Sequence, residues 1–229
     1  MDGAVRQDIA NHAIACGISF CARLVQSADV DEDVTDDDAP LLSRKAIAAA
    51  TCFAGIVAIA AFVVATPLAA VATFVLALIM ALITLTDLKH FIIPNALSFP
   101  AVPLGIVANI AVFHADDWMA GLTESLLGAV LAGGSFYLLR AVWFRLRGYE
   151  GLGLGDVKLA AVAGAWLGPA LLPSACLAAA LAGLAAVIIM AILPGRRVVM
   201  TDHIPFGSFI APVVLLFWVL RLLEAVSFW

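Results

Sequence analysis

Two acidic residues stand where acids are costly. Asp87 follows a long uncharged run and opens the polar part of "TLTDLKHFIIPNALSFP", residues 84–100, while Asp156 ends the glycine-rich part of "RGYEGLGLGDVKLAAVAGAWLG", residues 147–168. An ionised carboxylate at mid-membrane costs roughly 2.5–3.5 kcal/mol, and less at a helix end, so an acid in such a segment is a functional candidate by default. Two carboxylates within reach of each other resist joint ionisation and hold one proton between them. One can then deprotonate a water while the other protonates a carbonyl oxygen. That is the chemistry of aspartic proteolysis, which needs neither a metal nor a nucleophilic side chain. Paired intramembrane acids also serve proton relays, so a proton-coupled transporter is the competing reading. The two halves of the chain show none of the self-similarity of an inverted-repeat transporter. A third reading is a scaffold whose glycines only pack helices.

The neighbours of each acid admit plain structural roles. Gly151 and Gly155 form a G-x-x-x-G, a common helix-packing pattern, and Asp156 has the chemistry of an N-cap. Pro94 stops helical continuation after Asp87, and Asn95 is suited to cap the next helix. Asp156 begins a helix, at the positive end of its dipole, and Asp87 ends one, so Asp156 is the expected base of the pair. Glu150 and Lys158 flank the glycine run and either orient substrate, tune the pair or form an ordinary interfacial salt bridge.

The elements that must position these residues are membrane helices. Of 229 residues, 64% are hydrophobic and 13% charged, too apolar for a soluble domain of this size. The apolar runs are too long and too little alternating for barrel strands, so the expected fold is all-α, a polytopic transmembrane bundle. Spans are expected near 46–65, 67–86, 97–114, 122–144, 156–171, 172–193 and 206–226. Pro169 and Pro173 favour a turn between the fifth and sixth; a single kinked helix there gives six spans instead of seven. With the N-terminus cytoplasmic, seven spans put every lysine and arginine except Arg221 on the inner side, whereas six move Arg196 and Arg197 outward. Asp87 and Asp156 then share the inner face, and Asp116, Asp117 and Glu124 lie solvated on the outer one.

The rest of the chain carries less chemistry. Residues 1–44 are expected as a partly disordered cytoplasmic segment and 45–229 as the membrane domain. Much of the net charge of −5 sits in "DVDEDVTDDDAP", residues 29–40, a solvated tail or a dock for a basic partner. "HAIACGISFCA" is too short for a span and lacks the flanks of a cleavable leader; a short interfacial helix fits better. Cys16, Cys21 and His12 supply at most three ligands, and Cys52 and Cys176 read as packing residues, so no metal is expected. His90, Asp202 and His203 are weaker candidates near the inner face, and Trp143, Trp166 and Trp218 read as packing or interface anchors.

Three segments together resemble a known family. "GLGLGDVKLAAVAGAWLG" resembles the second catalytic segment of the type IV prepilin peptidases, with Gly153, Gly155 and Asp156 as their G-x-G-D. "DLKHFIIPN" resembles the first, with Asp87 as the partner and Pro94–Asn95 after it, and "HIPFGSFIAP", residues 203–212, resembles a third patch. These peptidases are a branch of the G-x-G-D intramembrane aspartyl proteases, which also include the presenilins. The resemblance covers roughly residues 45–226. It implies catalytic Asp87 and Asp156, no cofactor, no nucleic-acid partner and a bacterial cytoplasmic membrane location. The implied substrates are prepilins or pseudopilins, whose short basic leader before an apolar helix is cut at the cytoplasmic face. Family members that also N-methylate the product use an N-terminal domain with two C-x-x-C pairs. The acidic tail stands in that place here, so a stand-alone peptidase is expected, with the tail drawing in the basic leader by salt-sensitive attraction.

Overall fold

The computed structural model describes residues 44–64, 66–149, 151–192 and 206–227. The acidic run 29–40, His12, Cys16, Cys21, Glu150, Arg196, Arg197, Asp202 and His203 lie outside the described residues. Six helices follow in order: α1 (Arg44–Val64), α2 (Pro67–His90), α3 (Asn95–Phe113), α4 (Trp118–Arg147), α5 (Leu154–Ile192) and α6 (Gly207–Ser227). No strand occurs among the described residues. Five of these helices are long and apolar enough to cross a membrane, and Ala46–Phe62 within α1 is a shorter apolar stretch.

Local chemistry sets the helix ends. Thr66 caps α2, its hydroxyl accepting from the Ala69 amide at 3.2 Å, with Pro67 at the first helical position, where its missing N–H costs nothing. Asp117 caps α4 in the same way through the Ala120 amide at 3.1 Å, and Gly148 ends α4 in the left-handed region. The N-cap of α3 is Pro94, which has no side chain to cap with, and Asn95 is the first helical residue. Asn95 therefore does not cap the helix as expected; its side chain is engaged elsewhere.

α5 is two helices joined at Gly168, whose φ of 72° and ψ of 174° are non-helical. Its first limb, residues 154–167, runs from the end of the molecule bearing Asp156 to Glu124, whose carboxylate lies against Gly168. The second limb comes back: Gly183 lies beside Phe209, one turn from the start of α6 and hence at the Asp87 end again. The expected turn at Pro169–Pro173 thus falls one residue earlier. A positive φ suits glycine, and Pro169 then opens the second limb as a first-turn proline. This reversal makes α5 two antiparallel limbs, the turn between two helices expected from the prolines and not a single kinked helix.

In lipid, helices associate through close packing rather than by escaping water. α4 and the first limb of α5 meet through small residues, with the Gly128 and Gly164 backbones in contact and Gly133 against Ala161. Gly151, by contrast, precedes the helix and lies against Trp143, so the expected G-x-x-x-G of Gly151 and Gly155 is not a helix–helix contact. The core centres on Trp166 and Trp218, both fully buried, with ring centroids 5.1 Å apart, and Phe113 edge-on to Trp218 at 5.1 Å. Each indole N–H finds an acceptor, Trp166 in the Ala101 carbonyl at 2.9 Å and Trp218 in the Thr73 hydroxyl at 3.0 Å. Cys52 is exposed and Cys176 half-buried, so Cys52 is not the packing residue expected of it.

Glu124 is not solvated. Arg221 donates to both its carboxylate oxygens, at 3.1 and 3.3 Å, and His114 approaches it at 3.0 Å. Arg221 also donates to Asn109 at 3.0 Å and reaches the Leu167 carbonyl at 3.5 Å, where the break at Gly168 leaves a helix end to be satisfied. Asn109 in turn donates to the Ser125 hydroxyl at 2.7 Å. Arg221 thus closes the end of the short limb.

Candidate active site

Asp87 sits three residues before the end of α2. Its carbonyl accepts from the Phe91 amide at 2.9 Å, and Phe91 takes a left-handed conformation, φ 53° and ψ 30°, that stops the helix. The chain then runs through Ile92 and Ile93 to Pro94, whose carbonyl accepts from the Leu97 and Ser98 amides as α3 begins. The side chain of Asp87 is only 5% exposed. Its Oδ2 accepts from the Ser208 backbone amide at 2.6 Å, in the first turn of α6.

Asp156 is the third residue of α5, not its cap. Gly153 precedes the helix, and the Gly153 backbone amide hydrogen-bonds to the Asp156 carboxylate. This is the reach-back half of a capping box, in which an acid three residues into a helix satisfies the amide at its start. Each aspartate is therefore fixed by a backbone amide from a different turn. Arg140 on α4 steadies the approach to Gly153 by donating to the Leu152 carbonyl at 3.1 Å.

The two side chains line one cleft of about 500 Å³, together with Phe91, Ile93, Pro94, Asn95, Gly153, Gly155, Lys158 and Phe206. They are close enough for the charge of one to act on the other. Ile93 sets the spacing of the walls, packing against Gly155 on one side and Gly207 on the other. Lys158 donates to the Asn95 side-chain oxygen at 2.6 Å and lies over the Phe99 ring at 5.7 Å. So Asp87, Asp156, Gly153, Gly155, Lys158, Pro94 and Asn95 are brought together, and Glu150 lies outside the described residues. His90 is exposed and does not line the cleft.

Two residues at the site were not singled out from sequence. Gly207 and Ser208 lie in "HIPFGSFIAP", noted there only as a third patch, and nothing in that spelling says that a backbone amide would face Asp87. The same amide weakens the dipole argument for Asp156 as base, because the positive end of α6 now faces Asp87 as well. Among the described residues, no three His, Cys, Asp or Glu side chains converge as a metal site would require. The arrangement sets two carboxylates on one cleft beside an apolar wall and a cation.

A family model described as the type IV leader peptidase family matches residues 74–188, half of the chain. The chain belongs to the type IV leader peptidase family. Both aspartates and the whole cleft up to Lys158 fall within the matched residues; α1 and α6 lie outside them. Among similar proteins is a "prepilin leader peptidase/N-methyltransferase" of Neisseria gonorrhoeae, 36% identical over 125 residues, covering 55% of this chain and 40% of the relative. Proteins of the same description from Pseudomonas aeruginosa and Escherichia coli K12 are each 35% identical, covering 56% of this chain and 42% and 54% of their own lengths. This member of the leader peptidase family thus spans less than two thirds of the length of those relatives. None of the three is described as a transporter. No solved structure matches the chain.

Proposed function

We propose that this member of the family is a membrane aspartyl endopeptidase that removes the short basic leader of type IV prepilin-like precursors. The carrying observation is one cleft holding Asp87 and Asp156, each fixed by a backbone amide. In the reaction one carboxylate takes a proton from a water held between the pair, and the water oxygen bonds to the scissile carbonyl carbon. The other carboxylate, carrying the shared proton, passes it to the carbonyl oxygen. The resulting diol collapses as its C–N bond breaks; the leaving nitrogen takes one proton, a hydroxyl of the diol returns the other, and the pair again holds one. Lys158 and Asn95 act as supporting groups that orient the substrate backbone, and Pro94 directs the chain from Asp87 into α3.

The proposal places residues 45–229 in the bacterial cytoplasmic membrane as the peptidase domain, with 1–44 as a cytoplasmic segment and both aspartates at the inner face. Prepilins and pseudopilins with a basic leader and an apolar helix are the substrates, and leader cleavage alone is proposed. The test is cleavage of a pilin-like peptide by purified protein in lipid. Asp87→Asn and Asp156→Asn are each expected to lower kcat by at least about 1000-fold, near 4 kcal/mol, with the melting temperature kept. Cleavage that survives either change in a folded protein would refute the assignment.

A further inference from the structure

The first turn of α6 touches the reaction without contributing a side chain to it. The Ser208 amide is one of the N–H groups at the head of α6, where no carbonyl of the preceding turn is available to accept. Its acceptor is Oδ2 of Asp87, at 2.6 Å in a buried contact. The approach depends on the residue before it. A Cβ at position 207 would lie 2.9 Å from Asp87 Oδ2 and 2.9 Å from the Ile93 Cδ1 methyl, both below the distance real Cβ atoms tolerate. Gly207 is buried and helical, so its need for glycine is one of space, not of backbone angle. Ile93 is itself pressed against Gly155, one residue from Asp156, and has little room to yield.

We propose that Gly207 is a positioning residue for the peptidase reaction: its bare Cα lets the Ser208 amide clasp Asp87 and hold that carboxylate at its working distance from Asp156. The proposal rests on the aspartyl reading above. It assigns α6, which lies beyond the segment matched to the family model, a part in catalysis. Displacement of the carboxylate alters the reaction step more than substrate affinity, since the contact involves a reacting group and not a binding surface.

The test is steady-state cleavage of a pilin-like peptide by full-length protein in lipid vesicles. Gly207→Ala is expected to lower kcat about 10- to 100-fold, the range for losing a hydrogen bond to a charged group, while KM changes less than about threefold. Gly55→Ala, on α1 with open space around it, is the control for glycine replacement and keeps wild-type kcat. Ile93→Val deletes the methyl that a Cβ at 207 would strike and leaves the carboxylate contact in place. Gly207→Ala/Ile93→Val must therefore stay well below Ile93→Val alone. Recovery to the Ile93→Val rate would mean that only packing was disturbed and would overturn the proposal. So would an unchanged kcat in Gly207→Ala, or a loss confined to KM. A measurement that needs no change at 207 is amide hydrogen exchange at Ser208, expected to quicken at least tenfold in Asp87→Ala; unchanged exchange overturns the clasp. Asp87→Asn and Asp156→Asn run in the same assay keep the two ideas apart. If they still cleave, the aspartyl reading fails; if they are inactive and Gly207→Ala is fully active, only the clasp fails.

Discussion

Lys158 frames the cleft, and the proposed function gives it a part in orienting substrate as well. Its ammonium donates to the Asn95 oxygen at 2.6 Å, tying the start of α3 to the first turns of α5 at the cleft that the aspartates line. A hydrogen bond to a charged group at this distance contributes about 1.5–3 kcal/mol where water is scarce, and less here because the contact is open to the surface. Lys158→Met and Asn95→Leu are each expected to lower kcat/KM about tenfold on a pilin-like peptide. Because the two act as a pair, the double variant should be little worse than either single change, a coupling read from a double-mutant cycle. Fully additive losses would show that they work separately. Sequence pointed to both residues by their neighbourhood, yet it gave Asn95 the wrong task. Pro94 takes the cap position and leaves the Asn95 side chain to Lys158, a partner 63 residues away that no local pattern can reveal. Gly207 escaped notice for a related reason: its importance lies in an atom it does not have, beside a residue from another helix.

The two limbs of α5 show the same limit one level up. Prolines 169 and 173 mark the break in apolar sequence, but the chain turns at Gly168, where a positive φ is cheap, and the prolines merely start the second limb. The turn leaves the Leu167 carbonyl at the end of a limb, and Arg221, paired with Glu124 and stacked on Phe113 at 4.1 Å, is drawn in to meet it. Breaking one half of such a pair strands the other charge. With both side chains about a fifth exposed, Arg221→Met is expected to cost about 2 kcal/mol, below the roughly 3–5 kcal/mol of a fully buried pair. Arg221→Met/Glu124→Leu should recover part of that loss, measured by thermal unfolding in one lipid mixture. The cluster lies at the far end of the first limb from Asp156, so kcat of the folded fraction should stay near wild type. Sequence placed Glu124 in solvent with Asp116 and Asp117 because all three were expected at the outer face; the partner that buries it comes 97 positions later.

For the molecule as a whole, hydropathy was sufficient to state an all-α polytopic bundle, and the prolines to expect a turn within the long apolar stretch of α5. Lipid leaves a backbone few alternatives, which is why so coarse a signal carries that far. The packing order of the helices was not legible, since small residues such as Gly128 and Gly164 look alike wherever they occur. At about 1.5 Å per residue, the limb from 154 to 167 is only about 21 Å long, against a hydrocarbon layer of about 30 Å. An undersized element of this kind is accommodated by a local dimple in the leaflets or by sinking below the headgroups. Either way, on the proposed function, a peptide bond at the edge of a prepilin-like apolar helix has less oil to cross. Turnover should therefore rise in vesicles of shorter acyl chains and fall as the chains lengthen, at fixed headgroup and protein content; a rate indifferent to chain length would mean that the mismatch is absorbed elsewhere.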